Sequence, residues 1–392
     1  MHSGSDMPAP DPEALAHSER VRTLVVERIA AGDGFMSFAD YMDAVLYAPG
    51  LGYYSSGTRK FGAAGDFVTA PELGSVFARC LARLAAAALR QLGGGAIIEV
   101  GGGSGALAAD LLLALRDAPP DQYLLLEVSG ELRERQRRTL EAQVPDQLHR
   151  VSWLDALPAQ PLPGVLLANE VLDALPVERF RMRNGCPWQI GVDFSGGGLR
   201  WAERPAPAPL AAAVAALEAA LGYSLPEGYT TEIGLRHTAW LQSLLGVLGE
   251  GIALFLDYGG TRREIYHGER RDGTLVGYYR HRQLADPFFL PGLQDLTAWV
   301  DFSAAADGAK RAGFDVAVYA TQAHMLLASG VLEDVQQGAG AGAGDPVHRH
   351  EVQQIQRLLL PGEMGEHFKV LALTRDFAPG FPLTVRDLRE RL

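Results

Sequence analysis

The run IIEVGGGSGALAADLL, residues 97–112, carries the clearest chemical signal in the chain. Its apolar start reads as a buried strand, and Gly101, Gly103 and Gly105 then turn the chain into a helix. Glycine has no Cβ, so the backbone there can come close to a ligand. Two cofactors suit such a turn. Gly101, Gly103 and Ala106 satisfy the glycine pattern of NAD-binding proteins. The GxGxG form with an acid just before it suits S-adenosylmethionine. Glu99 is that acid: a carboxylate here would attract a methionine ammonium and repel a dinucleotide phosphate. Glu127 closes the next predicted strand, about 20 residues on, where a carboxylate can hold ribose hydroxyls. It fits either cofactor, so Glu99 and the GxGxG form carry the choice. Asp155, just past a third predicted strand, is placed to contact an adenine amine, or is a solvated loop acid.

Positioning these groups requires strands and helices in alternation. Short apolar runs at 96–100, 123–128, 149–153, 165–168 and 252–256 read as strands, with helices over 105–116 and 130–143. That order predicts a parallel sheet covered on both faces. Upstream, Asp11 and Pro12 start a helix that Gly32 stops, a second helix begins after Ser37, and a third spans 72–92. Residues 48–71 are rich in glycine and aromatics, without helical period; loops this long are usually functional or disordered, and the aromatic content favours an ordered loop. The stretch 176–250 is too long for one crossover. It reads as a hairpin region over 179–201 with turns at Asn184-Gly185 and 196–198, then helices over 210–221 and 231–248. Residues 261–300 form a second insertion. A strand near 314–320, a glycine-alanine run at 338–344, a helix near 346–360 and a strand at 367–374 close the chain.

Composition narrows the function. The 392 residues are 47% hydrophobic and 21% charged, as in globular proteins, with a net charge of −12. An acidic chain argues against general nucleic-acid binding and suits a basic partner. Two distant cysteines, Cys80 and Cys186, make neither a disulfide framework nor a thiolate metal site, and the ten histidines show no ligand spacing. No metal is expected. No apolar run reaches the roughly 18 residues of a membrane span. The acidic N-terminus resembles neither a secretory signal nor a transit peptide, which leads to an expectation of a cytoplasmic protein.

Seven further segments are long and unusual in composition: LYAPGLGYY (46–54), FGAAGDFVTAPELG (61–74), EVGGGSGALAADLL (99–112), NEVLDALPVERF (169–180), LDYGG (256–260), GTLVGYYRH (273–281) and PGLQDLTAWVDF (291–302). On these the chain, from about residue 20 to 375, resembles the MidA family of class I methyltransferases. The mitochondrial members of that family are arginine methyltransferases for complex I assembly. Val276 stands where the family's GTLR form carries arginine.

The resemblance implies an α/β class I methyltransferase: a Rossmann-like seven-stranded sheet with insertions after strands four and five. It implies S-adenosyl-L-methionine as cofactor and methyl transfer to a protein arginine, in the mitochondrial branch by symmetric dimethylation of a complex I core subunit. The segment 61–74 resembles the family's cofactor cover, with Asp66, Thr69 and Glu72 as candidates; Glu72 alternatively just favours a helix N-terminus. Ligands in this fold lie at the carboxyl ends of the strands. Asn169 is therefore a cofactor candidate, and Glu170 and Asp173 are the catalytic candidates. Three residues apart, they would share one side of a helical turn and hold a guanidinium between two carboxylates, or else cap a following helix. Asp257-Tyr258 reaches the same rim, and His281 lies in the second insertion. The expected division is an N-terminal helical and cover region, 1–92, and a methyltransferase core, 93–392, with cleft-building insertions at about 176–250 and 261–300. A non-catalytic S-adenosylmethionine-binding assembly chaperone is the alternative; it would not need Glu170 and Asp173.

Overall fold

A computed structural model describes Pro8 and residues 10–56, 69–333 and 346–392. Asp66 and the glycine-alanine run lie outside the described residues. Chain contacts divide the molecule into two compact units. One gathers residues 1–67, 173–238 and 260–301; the other gathers 68–172, 239–259 and 302–392.

The second unit is built on a sheet whose strands are β1 (Ala96–Val100), β2 (Gln122–Leu126), β3 (Val151–Leu154), β4 (Leu162–Asn169), β5 (Leu248–Gly260), β6 (Asp315–Thr321) and β7 (Phe368–Arg375). They run in the order β3-β2-β1-β4-β5-β7-β6. β1 to β5 pair in parallel, and β7 enters antiparallel between β5 and β6. All five residues of β1 are buried, as expected of a strand covered on both faces. The order reverses at β1 and β4, so the carboxyl ends of β1, β2 and β4 open where this architecture binds ligands.

Helices over Ser75–Leu92, Ala106–Ala114 and Gly130–Gln143 contribute to this unit. Phe77, Leu81 and Leu84 of the first pack with Leu107 and Leu111 of the second and with Val165 of β4 in one apolar core. The expected single helix over 72–92 is two, Ala70–Leu73 and Ser75–Leu92. Gly74 breaks it at φ 140°, where a Cβ would lie 2.3 Å from the amide of Gln354. The helix Gly130–Gln143 matches the expected bounds, with Ser129 accepting the Leu132 N–H as its cap.

The first unit has its own sheet and cores. The strand Cys186–Ser195 is flanked by Glu178–Arg183 and Gly198–Pro205, and Thr230–Ile233 pairs with Glu178–Arg183. The Asn184-Gly185 turn has φ of 48° and 71°, the left-handed pair that tight hairpins favour. The helix expected over 231–248 is instead a strand, Thr230–Ile233, and a shorter helix, His237–Leu245. Two adjacent β-branched threonines favour the strand, and Glu232 there is buried against Arg179 at 3.1 Å. The helix Pro12–Ala31 begins as expected, with Asp11 accepting the Ala14 N–H at 2.8 Å. A three-stranded sheet of Val276–Tyr279, Arg282–Leu284 and Asp295–Thr297 completes the unit. His281 is exposed at φ 61° in the two-residue turn joining the first two of these strands, a conformation that accounts for it as a hairpin residue.

Candidate cofactor and active site

The glycine turn leaves β1 with φ of 66° at Gly101, 52° at Gly103 and 83° at Gly105, a region closed to most side chains. At Gly105 the space is closed as well: a Cβ would meet the Gln136 Cα at 2.9 Å. The turn thus needs glycine twice over, for its dihedrals and for its packing against the helix Gly130–Gln143.

Glu99 precedes the turn and is buried, with 3% exposure. The Tyr123 hydroxyl donates to its carboxyl at 2.6 Å. Burial pushes the Glu99 carboxyl up to about 7; the Tyr123 bond opposes that rise and the nearby charge of Glu127 adds to it. A cation arriving beside Glu99 would favour its ionised form. Glu127 follows β2, also buried, and accepts the Ser129 N–H at 2.8 Å and the Gln136 amide at 3.2 Å. Asp155 follows β3 with its side chain 91% exposed, paired to Arg133 at 2.5 Å. The exposed Val128 sits beside Glu127 in sequence.

Glu72 lies in the short helix Ala70–Leu73 and accepts a hydrogen bond from the Ser104 hydroxyl, which ties this segment to the glycine turn. Thr69 is buried at the start of that helix, and its carbonyl accepts the Glu72 N–H at 3.0 Å.

Beyond β4 the chain departs from expectation. No helix follows: residues 170–177 form bends and turns, so Glu170 and Asp173 neither share a helical turn nor cap a helix. Glu170 stands at φ 53°, uncommon for a residue with a side chain, and its N–H donates to the Leu256 carbonyl of β5 at 2.8 Å. Asp257, fully buried, accepts the N–H groups of Val171 and Leu172 at 3.1 and 2.9 Å and thereby pins the turn. The Asn169 amide donates to the Glu170 carboxylate at 3.1 Å. Its buried carbonyl oxygen has no hydrogen-bond partner among the described residues. Asp173 is buried and falls in the other unit, where its backbone carbonyl accepts the Ala298 N–H at 3.0 Å.

These residues fit S-adenosylmethionine. A glycine-rich backbone turn, a buried acid for an ammonium, an acid after β2 for a ribose, and an unsatisfied amide oxygen at the end of β4 are the groups it would meet. Sequence reasoning missed Tyr123, Gln136, Ser104 and the pinning role of Asp257. Tyr123 was within reach: it pairs with Ile97, and strand alternation puts Ile97 and Glu99 on one face. Gln136 lies four residues from both Leu132 and Leu140, the spacing of a buried helical stripe. Nothing in the sequence marks the tie from Ser104 to Glu72. Among the described residues no acid, histidine or cysteine cluster could hold a metal, and no helix is long and apolar enough to cross a membrane.

Comparison with known proteins agrees with this geometry. Residues 80–320 match the family described as "Putative S-adenosyl-L-methionine-dependent methyltransferase". A solved structure from Burkholderia thailandensis, described as a "likely methyl transferase" and bound to S-adenosyl-homocysteine, is 41% identical. It covers 99% of this chain and 100% of its own, with a TM-score of 0.92. Among curated relatives, the mitochondrial protein arginine methyltransferase NDUFAF7 homolog of Drosophila melanogaster is 27% identical, over 93% of this chain and 88% of its own. The mitochondrial protein arginine methyltransferase NDUFAF7 of Danio rerio is 28% identical, over 91% and 88%. With the sheet order, the glycine turn and the acids around it in agreement, the chain belongs to the MidA family of class I S-adenosyl-L-methionine-dependent methyltransferases.

Proposed function

We propose that this methyltransferase acts on arginine side chains of a protein, with a respiratory complex I subunit as the first substrate to test. The observation that carries the reading is Glu170: a carboxylate held at φ 53° directly after β4, on a turn pinned by Asp257. Residues in sparsely populated dihedrals cluster at functional sites. The names of the curated relatives, protein arginine methyltransferases at 27 and 28% identity, support the same substrate class.

S-adenosylmethionine supplies an electrophilic methyl group. The work left to the chain is to orient a nucleophilic nitrogen and to exclude competing contacts. A guanidinium is planar, permanently charged near neutral pH and rich in donors. A fixed carboxylate can accept two of its N–H groups and turn a third nitrogen toward the methyl group. We assign that role to Glu170, with Asp173 as a second carboxylate tested separately. Asn169, Glu99, Glu127, Asp155, Thr69, Glu72 and the three glycines are assigned to the cofactor, and Asp66, outside the described residues, joins them by its place in the cover segment.

The test is transfer of labelled methyl from S-adenosylmethionine to a lysate and to purified complex I subunits, with amino-acid analysis of the product. Methylarginine formed by the wild type, and lost in Glu170→Gln with cofactor binding intact, is the expected result. Label recovered only on lysine or on small molecules would overturn the arginine reading. Intact cofactor binding with no transfer to any fraction would favour the assembly chaperone.

A further inference from the structure

Gln136 sits midway along the helix Gly130–Gln143 with no exposed surface. Each half of its amide is bonded. The nitrogen donates to the Gly103 carbonyl and to the Glu127 carboxylate, both at 3.2 Å, and the oxygen accepts the indole N–H of Trp153 at 2.9 Å. Turning the amide over would face its N–H groups toward the indole donor and its oxygen toward a carbonyl and a carboxylate. All three contacts would become repulsive, so the chemistry of the partners fixes the orientation. Leu132 and Leu140 occupy the same stripe, and a third leucine would bury there without any polar group to satisfy. The polar residue at this place ties together two parts of the cofactor site that come from different strands.

We infer that Gln136 is a positioning residue for the cofactor, holding the Gly103 carbonyl and the Glu127 carboxylate in one fixed relation so that turn and acid meet the nucleoside together. This rests on the reading of Glu127 as the ribose acid. Only an amide serves at this position. An ionised carboxylate keeps the indole bond but repels Glu127, and an apolar side chain frees both partners. Within the same unit, other charges bear on the position. Glu127 faces it directly, with Glu99 and its Tyr123 partner beyond. From the helix itself Arg133 donates to the Glu127 carbonyl and pairs with Asp155, and Arg137 stacks on Trp153 at 4.5 Å.

The experiment is calorimetric titration of the full chain with S-adenosylhomocysteine between pH 5.5 and 7.5, with thermal melting of each variant alone. Gln136→Met is expected to weaken binding at least about tenfold relative to wild type, by a ratio that does not change with pH. Gln136→Glu gives a different signature. Burial and the charge of Glu127 raise the introduced carboxyl, so at low pH its proton restores one donor. Its binding relative to wild type is therefore strongest at pH 5.5 and at least about tenfold poorer at pH 7.5. A merely structural residue would not produce a pH-independent loss of binding in one variant and a pH-dependent one in the other. Wild-type binding by both variants, or a flat ratio for Gln136→Glu, would overturn the inference. If either variant fails to fold, Trp153→Phe removes the donor that orients the amide, and unchanged binding there would overturn it as well. Glu127→Gln separates the two levels. Retained affinity in that variant would sink both the ribose assignment and this inference. Lost affinity together with wild-type behaviour of the Gln136 variants would sink this inference alone.

Discussion

The hydroxyl of Tyr123 donates a 2.6 Å hydrogen bond to the carboxyl of Glu99, and both side chains are buried in the sheet beside the glycine turn. A phenol donor can serve the carboxyl in either protonation state. Glu99 is therefore kept in place whether or not a cation stands beside it, and its charge is set by what binds.

The first prediction follows from the Glu99 carboxyl, pushed up to about 7 by burial. The folded, ligand-free protein holds a proton there that the unfolded chain releases near 4.5. Stability from this group is thus present at low pH and lost as pH rises from about 4.5 to about 7, by on the order of 3 kcal/mol. Cofactor binding has the opposite sign, because the ammonium pairs with the ionised form: affinity rises with pH toward 7 and then levels. Melting curves and calorimetry on wild type and Glu99→Gln check both slopes. Equal slopes in the two proteins would show that Glu99 does not titrate in this range.

Gly103 gives the second prediction. Its φ of 52° lies in the left-handed region, which a β-branched residue adopts only with strain. Gly103→Val is expected to lose S-adenosylmethionine binding by at least about a hundredfold while keeping the far-ultraviolet dichroism of the fold. Calorimetry that finds wild-type affinity would move the cofactor away from this turn.

Glu170 opposes stability to function. Relaxing a left-handed backbone with glycine returns about 1 kcal/mol, against the loss of the side-chain contacts of Glu170, that from Asn169 among them. Glu170→Gly should therefore hold or raise the melting temperature by a few degrees while methyl transfer falls at least about tenfold. Cofactor affinity should stay near wild type. A sharp drop in melting temperature would make Glu170 a structural residue.

Segment 69–73 supplies the fourth prediction, since the Ser104 hydroxyl bonds Glu72 from the turn itself. Amide exchange over 69–73 should slow when S-adenosylhomocysteine binds, and Ser104→Ala should remove most of that protection. Protection confined to 99–128 would detach this segment from the cofactor.

Much of the sheet was legible because its strands obey local rules. Ala96–Val100 is a short run apolar but for Glu99, and Asp11, Ser37 and Ser129 sit where side-chain caps belong. Thr230–Ile233 was misread because apolar residues downstream mimic a helical period, while its pairing with Glu178–Arg183 is a contact between distant parts of the chain. The same limit applies at the site. Glu99 and the glycines stand in one segment, so their chemistry could be read from spacing. The geometry of Glu170 depends on Asp257, more than eighty residues away in sequence, and on the Leu256 carbonyl beside it. Spacing alone therefore suggested a helix that the tertiary hydrogen bonds exclude.

The position of β7 has a consequence for synthesis. Among the described residues it is the last strand along the chain, yet it sits inside the sheet, donating and accepting along β5 on one side and β6 on the other. Until Phe368–Arg375 leaves the ribosome, the growing chain carries two unpaired apolar edges, and a message truncated before that codon range would leave β6 cut off from β5. Exposed edges of this kind recruit other strands. Lesions that stop translation before Phe368 should thus be as damaging as lesions in the glycine turn, and their products should be found with chaperones or in aggregates.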